Sequence, residues 1–379
     1  MFEGGIMKKF LSILLSIVFI VSIFTSCNIG TDKKDLVVTN NDIITNIYPV
    51  DCEVSIHTDK QAKYLEKDYD ELPLGVKGEK ELSRPEAIEF QWKYNGEKLD
   101  NTEYILNISE NKDMSNPITY TTTEEKIAVY NLKIATKYYW TITVNGETSK
   151  IYDFDTDGTA PRNLYVDGIT NVRDIGGWIT EKGTRTKQGL IYRCARLNES
   201  EDNGSTVIIT DAGKNVMLNE LGIKTEIDVR RAAKGETGGL TSSPLGNTVK
   251  YFNFPMDHAN DILNDNKAEI INFFETLANE DNYPMIVHCS VGCDRTGMLI
   301  FMVNALLGVS EEDLIRDYMF SNFADVDNKR KVETIKSTAY YQAITTAEGE
   351  TLSEKAYNCL SGFGVATEYL DTVINILSE

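Results

Sequence analysis

The sequence predicts a multidomain chain, an N-terminal all-β sandwich followed by an α/β domain with a central, largely parallel sheet flanked by helices. Three observations predict it. The chain has 379 residues, 41% hydrophobic and 25% charged, which is more than one core usually organises and too apolar for disorder. Apolar residues recur with period two from about residue 45 to 157, the mark of half-buried strands. Beyond residue 161 such strands alternate with segments of helical period, as in α/β proteins.

The chain opens on an export pattern. Lys8 and Lys9 precede residues 10–24, of which twelve are apolar and three are Ser, and Thr25, Ser26 and Cys27 follow. That run is short of the roughly 20 residues a bilayer span needs. A basic start, a short apolar core and small residues before a cut describe a signal peptide over residues 1–26. Cys27 behind Thr25 and Ser26 resembles the lipobox of bacterial lipoproteins, which implies acylation of Cys27 and a lipid-anchored protein at the outer face of a bacterial membrane. Residues 27–44 are polar and aperiodic, as in a tether. With Cys27 lipidated, five of the six cysteines remain, and an odd number outside the cell excludes a fully paired disulfide framework.

In the β region, Ile88, Phe90, Trp92 and Tyr94 alternate with polar residues, then Tyr104, Leu106 and Ile108, then Tyr138, Trp140, Ile142 and Val144 up to the hairpin pair Asn145-Gly146. Leu132, Tyr138 and Trp140 resemble the fibronectin type III signature around its tyrosine corner. The resemblance implies a sandwich over residues 45–157 that serves as a spacer or docking module, with no partner indicated. Asp153, Asp155, Asp157, Gly158 and Pro161 mark the linker.

From residue 161 to 379 the elements follow in order. Residues 211–221 suit a helix closed by Gly222; Ile223, Thr225, Ile227 and Val229 alternate as a strand; residues 249–254 read as another. Ile270, Phe273, Phe274 and Leu277 share a helical face over residues 267–279, and 285–287 is a short buried strand. Residues 296–307 are apolar all round, as in a helix inside a core, and Gly308 closes them. Ser310 and Asp313 cap the next helix, and Leu370, Val373, Ile374 and Leu377 give the last one its face.

Charge narrows the function. Lys plus Arg is 38 against 58 Asp plus Glu, a net −20, which speaks against nucleic acid as a partner. Residues 161–250 carry +2 while 251–379 carry −13, so any anion site is local. Three His residues do not assemble a His-rich metal site, and no cofactor is indicated.

The chemistry concentrates between the buried strand and the buried helix, in His288-Cys-Ser-Val-Gly-Cys-Asp-Arg-Thr-Gly297. A strand, tight loop and helix start point backbone N–H groups inward, making a nest for an oxyanion. A thiol at its base feels the helix terminus, the amides and Arg295, and is held as a thiolate near neutral pH. Cys289 is therefore the candidate nucleophile. Arg295 offers a planar fork to two phosphoryl oxygens, Gly292 permits the turn, and Thr296 can donate to the Cys289 sulfur. Ser290, Val291, Gly292, Cys293, Thr296 and Gly297 complete the expected phosphate cradle, with His288 buried to orient Cys289.

This loop resembles the signature His-Cys-x5-Arg-Ser/Thr of the cysteine-dependent protein phosphatases, and its fuller form the bacterial branch with His-Cys-x-x-Gly-Lys-Asp-Arg-Thr-Gly. Asn171-Val-Arg-Asp-Ile-Gly-Gly177, Ile191-Tyr-Arg-Cys-Ala-Arg-Leu197, Leu221-Gly-Ile-Lys-Thr-Glu-Ile-Asp-Val-Arg230 and, after the loop, Gly308-Val309 and Glu312-Asp-Leu-Ile-Arg-Asp-Tyr318 are similar to further motifs of that family. The resemblance implies a tyrosine-phosphatase-like phosphomonoesterase working through a cysteinyl-phosphate intermediate on a phosphorylated protein, peptide or phosphoinositide. Soluble inositol phosphates or a non-catalytic surface binding protein are the alternatives. Where the family carries a Lys this chain has Cys293, which removes a charge that would serve acidic head groups. For the general acid, the resemblance maps to Asp294 beside Arg295, whereas Phe254-Pro-Met-Asp257 offers Asp257 on a separate loop. Arg173 with Asp174 is expected to brace the phosphate loop, and the charge-rich run 325–336 to be a solvated face.

Overall fold

Alternating apolar residues need a second surface to cover them, and in the first unit two sheets supply it for each other. The computed structural model describes residues 43–66, 82–199, 208–257, 262–324 and 330–379. The export segment, Cys27 and nearly all of the tether lie outside the described residues. Strands β1 (Ile44–Tyr48) and β2 (Glu53–Val54) are followed by helix α1 (Asp59–Leu65), then β3 (Ile88–Tyr94), β4 (Tyr104–Ser109), β5 (Ile118–Thr122), β6 (Lys126–Val129), β7 (Lys137–Val144), β8 (Glu147–Thr148) and β9 (Tyr152–Thr156). One sheet has the order β1-β3-β6; the other runs β2-β9-β7-β4-β5, with β8 on β7. Pairing is antiparallel except for β2 with β9. Phe90, Leu106, Trp140 and Phe154 are fully buried in the shared core, and Phe90 meets Trp140 and Phe154 edge-on. The Tyr138 hydroxyl accepts the Lys133 N–H at 2.8 Å, closing the corner that leads into β7.

In the second unit β10 (Arg173–Asp174), β11 (Ile191–Cys194), β12 (Thr225–Asp228), β13 (Lys250–Asn253) and β14 (Met285–His288) form one sheet, in the order β10-β11-β14-β12-β13. The last four are mutually parallel and β10 is an antiparallel edge. The helices are α2 (Asp211–Asn215), α3 (Lys267–Leu277), α4 (Arg295–Leu306), α5 (Glu311–Phe320), α6 (Val332–Lys336), α7 (Ala339–Thr345), α8 (Leu352–Phe363) and α9 (Thr367–Leu377). All twelve residues of α4 are buried, as its unbroken apolarity requires. The helix expected over 211–221 is α only to Asn215; Val216–Glu220 widens to a π-helix, with Leu221 N–H donating to Val216 O. Expected alternation in β12 has a different cause from half-exposure. Thr225, Glu226, Ile227 and Asp228 are all fully buried, and the polar alternates face buried partners.

The two cores interlock at several points. Ala160 packs against both, and the Gln188 amide exchanges bonds with Ile134 N and O at 3.0 and 2.9 Å. Helix α1, although it precedes β3, sends Tyr64 into the second core against Phe320 and Phe323. Among the described residues no helix is long and apolar enough to cross a membrane.

Candidate active site

Strand β14 delivers the chain to Cys289 at the carboxyl edge of the sheet, and α4 takes it up again at Arg295. The turn between them is possible because Gly292 adopts φ +70°, and a Cβ there would lie 2.2 Å from Cys194 O at the end of β11. Three outward carbonyls define the loop. Ser290 O accepts from Arg196 N and Nη1, both at 3.2 Å; Val291 O accepts from Asn171 Nδ2 at 3.1 Å; Gly292 O accepts from Arg193 Nη2 at 2.5 Å and Asn171 Nδ2 at 3.3 Å. A trans peptide is planar, with its N–H opposite its C=O. Pulling these carbonyls outward therefore turns the N–H groups of Val291, Gly292 and Cys293 inward. Gly292 N–H reaches Cys289 Sγ at 3.2 Å.

Cys289 is 2% exposed. Burial pushes its thiol up, yet Arg295 and the hydroxyl and N–H of Thr296 outweigh it and bring it down to about 7, against opposition from Asp294. The Thr296 hydroxyl has no other partner among the described residues. Arg295 spends one nitrogen on its own anchorage: Nη1 donates to Glu236 Oε2 at 2.6 Å, Met256 O at 3.2 Å and Val229 O at 3.4 Å. Nη2 makes one 3.3 Å contact with Ser290 Oγ, and Nε is buried without a partner. The Nε–Nη2 edge is thus the part of the fork left for an anion.

Behind the loop, His288 Nε2 lies 2.9 Å from Glu226 Oε1 and Nδ1 lies 3.2 Å from Cys289 O. Burial lowers the His288 pKa, but Asp228 and Glu226 outweigh it and raise it above the ordinary value. Glu226, Asp228 and His288 place ligating atoms within 4.8 Å of one another. Ser243, Arg230 and Tyr251 already bond these carboxylates, so the cluster is a closed hydrogen-bonded support.

A strand, a Cys-bearing oxyanion nest, an arginine edge and the helix behind it form one unit, and the profile of the tyrosine phosphatase family matches residues 164–379. The chain belongs to the tyrosine phosphatase family. A Cupriavidus necator protein, provisionally named a tyrosine-protein phosphatase, is 24% identical over 184 residues, 42% of this chain and 63% of the relative. Two solved structures are similar. The core catalytic domain of the PP-IP phosphatase SIW14 from S. cerevisiae is 14% identical over 53% of this chain and 96% of its own, with a TM-score of 0.30. TpbA from P. aeruginosa, in complex with pTyr, is 18% identical over 42% of this chain and 88% of its own, with a TM-score of 0.28.

The acid candidates of this tyrosine phosphatase family member differ in setting. Asp294 is the N-cap of α4 without a capping bond, and its Oδ2 is 2.6 Å from Arg330 Nη2. Asp257 has a side chain 59% exposed and a 3.1 Å contact with Arg231, while its backbone is fastened to Asn266 at 2.6 and 3.0 Å. Arg231 is shared with Glu236. Burial raises the Glu236 carboxyl, but Arg231 and Arg295 outweigh it and hold it at about 2. Cys293 is fully buried; burial pushes its thiol up, and its Sγ donates to Val291 O at 3.3 Å. Gly297 lies in the first turn of α4.

Two expectations need correction. Arg173 and Asp174 do not act as a pair, because neighbours on a strand point to opposite faces. Asp174 binds Arg162 at 2.8 Å and caps Gly176 and Gly189. Arg173 reaches the loop indirectly: Nη1 donates to Asn171 Oδ1 at 2.5 Å and Nε to Asp317 Oδ1 at 2.7 Å. The run 325–336 is not simply a solvated face. Arg330 is 7% exposed and Ile335 fully buried, and Asn322 clasps the Arg330 backbone at 3.0 and 2.9 Å. Sequence reasoning also missed Glu236, and gave Asn171, Arg193, Arg196 and Asp317 no role in aiming the loop. Their positions in the quoted motifs were the available signal for the last four; nothing comparable marks Glu236.

Proposed function

We propose that the chain hydrolyses phosphate monoesters through a cysteinyl-phosphate intermediate. What carries the reading is the inward set of Val291, Gly292 and Cys293 N–H groups around a thiol brought down to about 7. The Cys289 thiolate attacks phosphorus, the bond from phosphorus to the ester oxygen breaks, and that oxygen takes a proton from an aspartic acid. Water then attacks phosphorus, gives a proton back to the carboxylate, and the sulfur leaves with the Thr296 hydroxyl beside it. The Nε–Nη2 edge of Arg295 and the loop amides hold the equatorial oxygens where charge grows.

Family membership supports phosphotyrosine as the substrate, and a Cys289 residue only 2% exposed favours the longer reach of an aryl ester. Cys289→Ser is expected to abolish turnover of phosphotyrosine peptide while phosphate binding persists, because the amides remain and a hydroxyl stays protonated. Phosphate release by that variant at the wild-type rate would overturn the mechanism. A faster wild-type rate on phosphoinositide or inositol phosphate would reassign the substrate.

The N-terminal β unit is read as a fibronectin type III-like spacer, supported by the two sheets and the Tyr138 corner. Cys27 behind its apolar run supports export and lipid anchoring at the outer face of a bacterial membrane. Native protein should partition into detergent and Cys27→Ser should leave an unprocessed precursor; wild type recovered as a water-soluble, unlipidated protein would refute the anchor.

A further inference from the structure

The N-terminal unit touches the loop support directly. Ser83 Oγ accepts the Asn171 N–H at 3.1 Å, and Ser83 is 3% exposed. Asn171 is the residue whose Nδ2 holds Val291 O and Gly292 O, and it does so from a left-handed backbone, φ +58°. An asparagine tolerates that conformation better than most residues, but at a cost that its surroundings must offset. The Ser83 hydroxyl fixes the Asn171 peptide; Arg173 fixes its side-chain oxygen. Between them they orient the Nδ2 donor, whose shorter contacts are the loop carbonyls and whose longer ones, at 3.5 Å, are Cys293 Sγ and Ser321 Oγ.

Ser83 is itself anchored on both sides. Leu82 N–H donates to Phe323 O at 2.7 Å. The fully buried Gln61 of α1 donates Nε2 to Leu82 O and Arg84 O at 2.7 and 2.8 Å, while its Oε1 accepts from Asn163 Nδ2 at 3.0 Å. Tyr64, one turn further along α1, donates its hydroxyl to Arg316 O at 2.8 Å. Residues that precede β3 thus clamp a serine against the back of the nucleophile loop.

We propose that Ser83 is a positioning residue for phosphoryl transfer, acting through Asn171 on the peptide units of Val291, Gly292 and Cys293. The loop of the second unit is then set partly by a residue of the first. The proposal rests on the reading of residues 289–296 as a phosphate cradle. Wild type inactive on aryl phosphate would defeat that reading, whereas an active wild type with an equally active Ser83→Ala defeats only the strap.

The test uses the full chain and two readouts. With an aryl phosphate, Ser83→Ala should lower kcat about three- to tenfold, the scale of one hydrogen bond, with KM little changed. The pH midpoint of Cys289 alkylation by iodoacetamide should move upward, since Gly292 N–H is aimed less well at the sulfur. Ser83→Thr, which keeps the hydroxyl, should restore both. In an Asn171→Gly background, which keeps the left-handed backbone and removes the side chain, Ser83→Ala should cost nothing further. Wild-type kcat and alkylation midpoint in folded Ser83→Ala, or full additivity with Asn171→Gly, would overturn the proposal, as would a change in melting temperature with no change in either readout. If the alanine variant does not fold, Ser83→Cys, a poor acceptor of similar size, takes its place with the same expectations.

Discussion

Glu236 shows how a single carboxylate sets what the Arg295 fork can offer. By taking Nη1 of Arg295 at 2.6 Å, it fixes the guanidinium plane and leaves the opposite edge to the substrate. The same carboxylate holds Arg231, which in turn holds Asp257, so the fork and one acid candidate are wired together. The two acids can be separated by their partners. Asp294, its side chain 30% exposed, is held by Arg330 at 2.6 Å. Asp257 meets a partly exposed Arg231 at 3.1 Å, in water that weakens the pairing. We therefore infer that Asp257, on a separate loop with its side chain 59% exposed, is the acid that reaches the ester oxygen. Asp257→Asn should lose the basic limb of the pH–rate profile and slow esters with poor leaving groups about 100-fold, while activated aryl esters are largely spared. That signature in Asp294→Asn instead would restore the assignment by family resemblance. In either enzyme the acidic limb follows Cys289: thiolate reactivity rises with pH and is half-complete at about 7.

Among elements, helix α5 supports the loop from a distance in sequence. Its Asp317 receives Arg173 on Oδ1 and Arg193 on Oδ2, at 2.7 and 2.6 Å, and those two arginines lead to Asn171 Oδ1 and Gly292 O. Burial raises the Asp317 carboxyl, but the two guanidiniums outweigh it and hold it below the ordinary Asp range. The stability it contributes is therefore present at neutral pH and is lost as pH falls through that depressed value. Asp317→Asn leaves two buried cations without their carboxylate. Urea unfolding at neutral pH should show a loss of about 3–5 kcal/mol, and the variant should be less sensitive to acid than wild type. An unchanged midpoint would show that solvent screens the pair. The loop between β14 and α4 was legible as a strand–turn–helix unit because its residues are contiguous. Asp317 was legible only as part of the motif over residues 312–318, and its part in aiming the loop was not, since that depends on how the helix is docked. Strand β12 was half legible: its alternation is real, but Glu226 and Asp228 face His288 and Arg230 rather than solvent.

At the scale of the molecule, the parallel sheet and its flanking helices followed from period and length. The traffic across the units did not. Helix α1 lies between strands of the first unit, and its sequence, Asp59 to Leu65, gives no sign that Tyr64 belongs to the second core. Such a contact depends on closure of the whole chain, which local pattern does not encode. The arginines of the second unit have a consequence for how substrate arrives. Arg162, Arg173, Arg193 and Arg230 are sunk in pairs with Asp174, Asp317 and Asp228, so the +2 of residues 161–250 does little beyond their immediate neighbourhood. A phosphorylated ligand diffusing in meets instead the far field of a molecule of charge −20. Attraction by the loop begins only within about a Debye length, roughly 8 Å at physiological ionic strength. Dissolved salt screens the outer repulsion more than the inner attraction, and so hastens encounter, the reverse of an electrostatically steered enzyme.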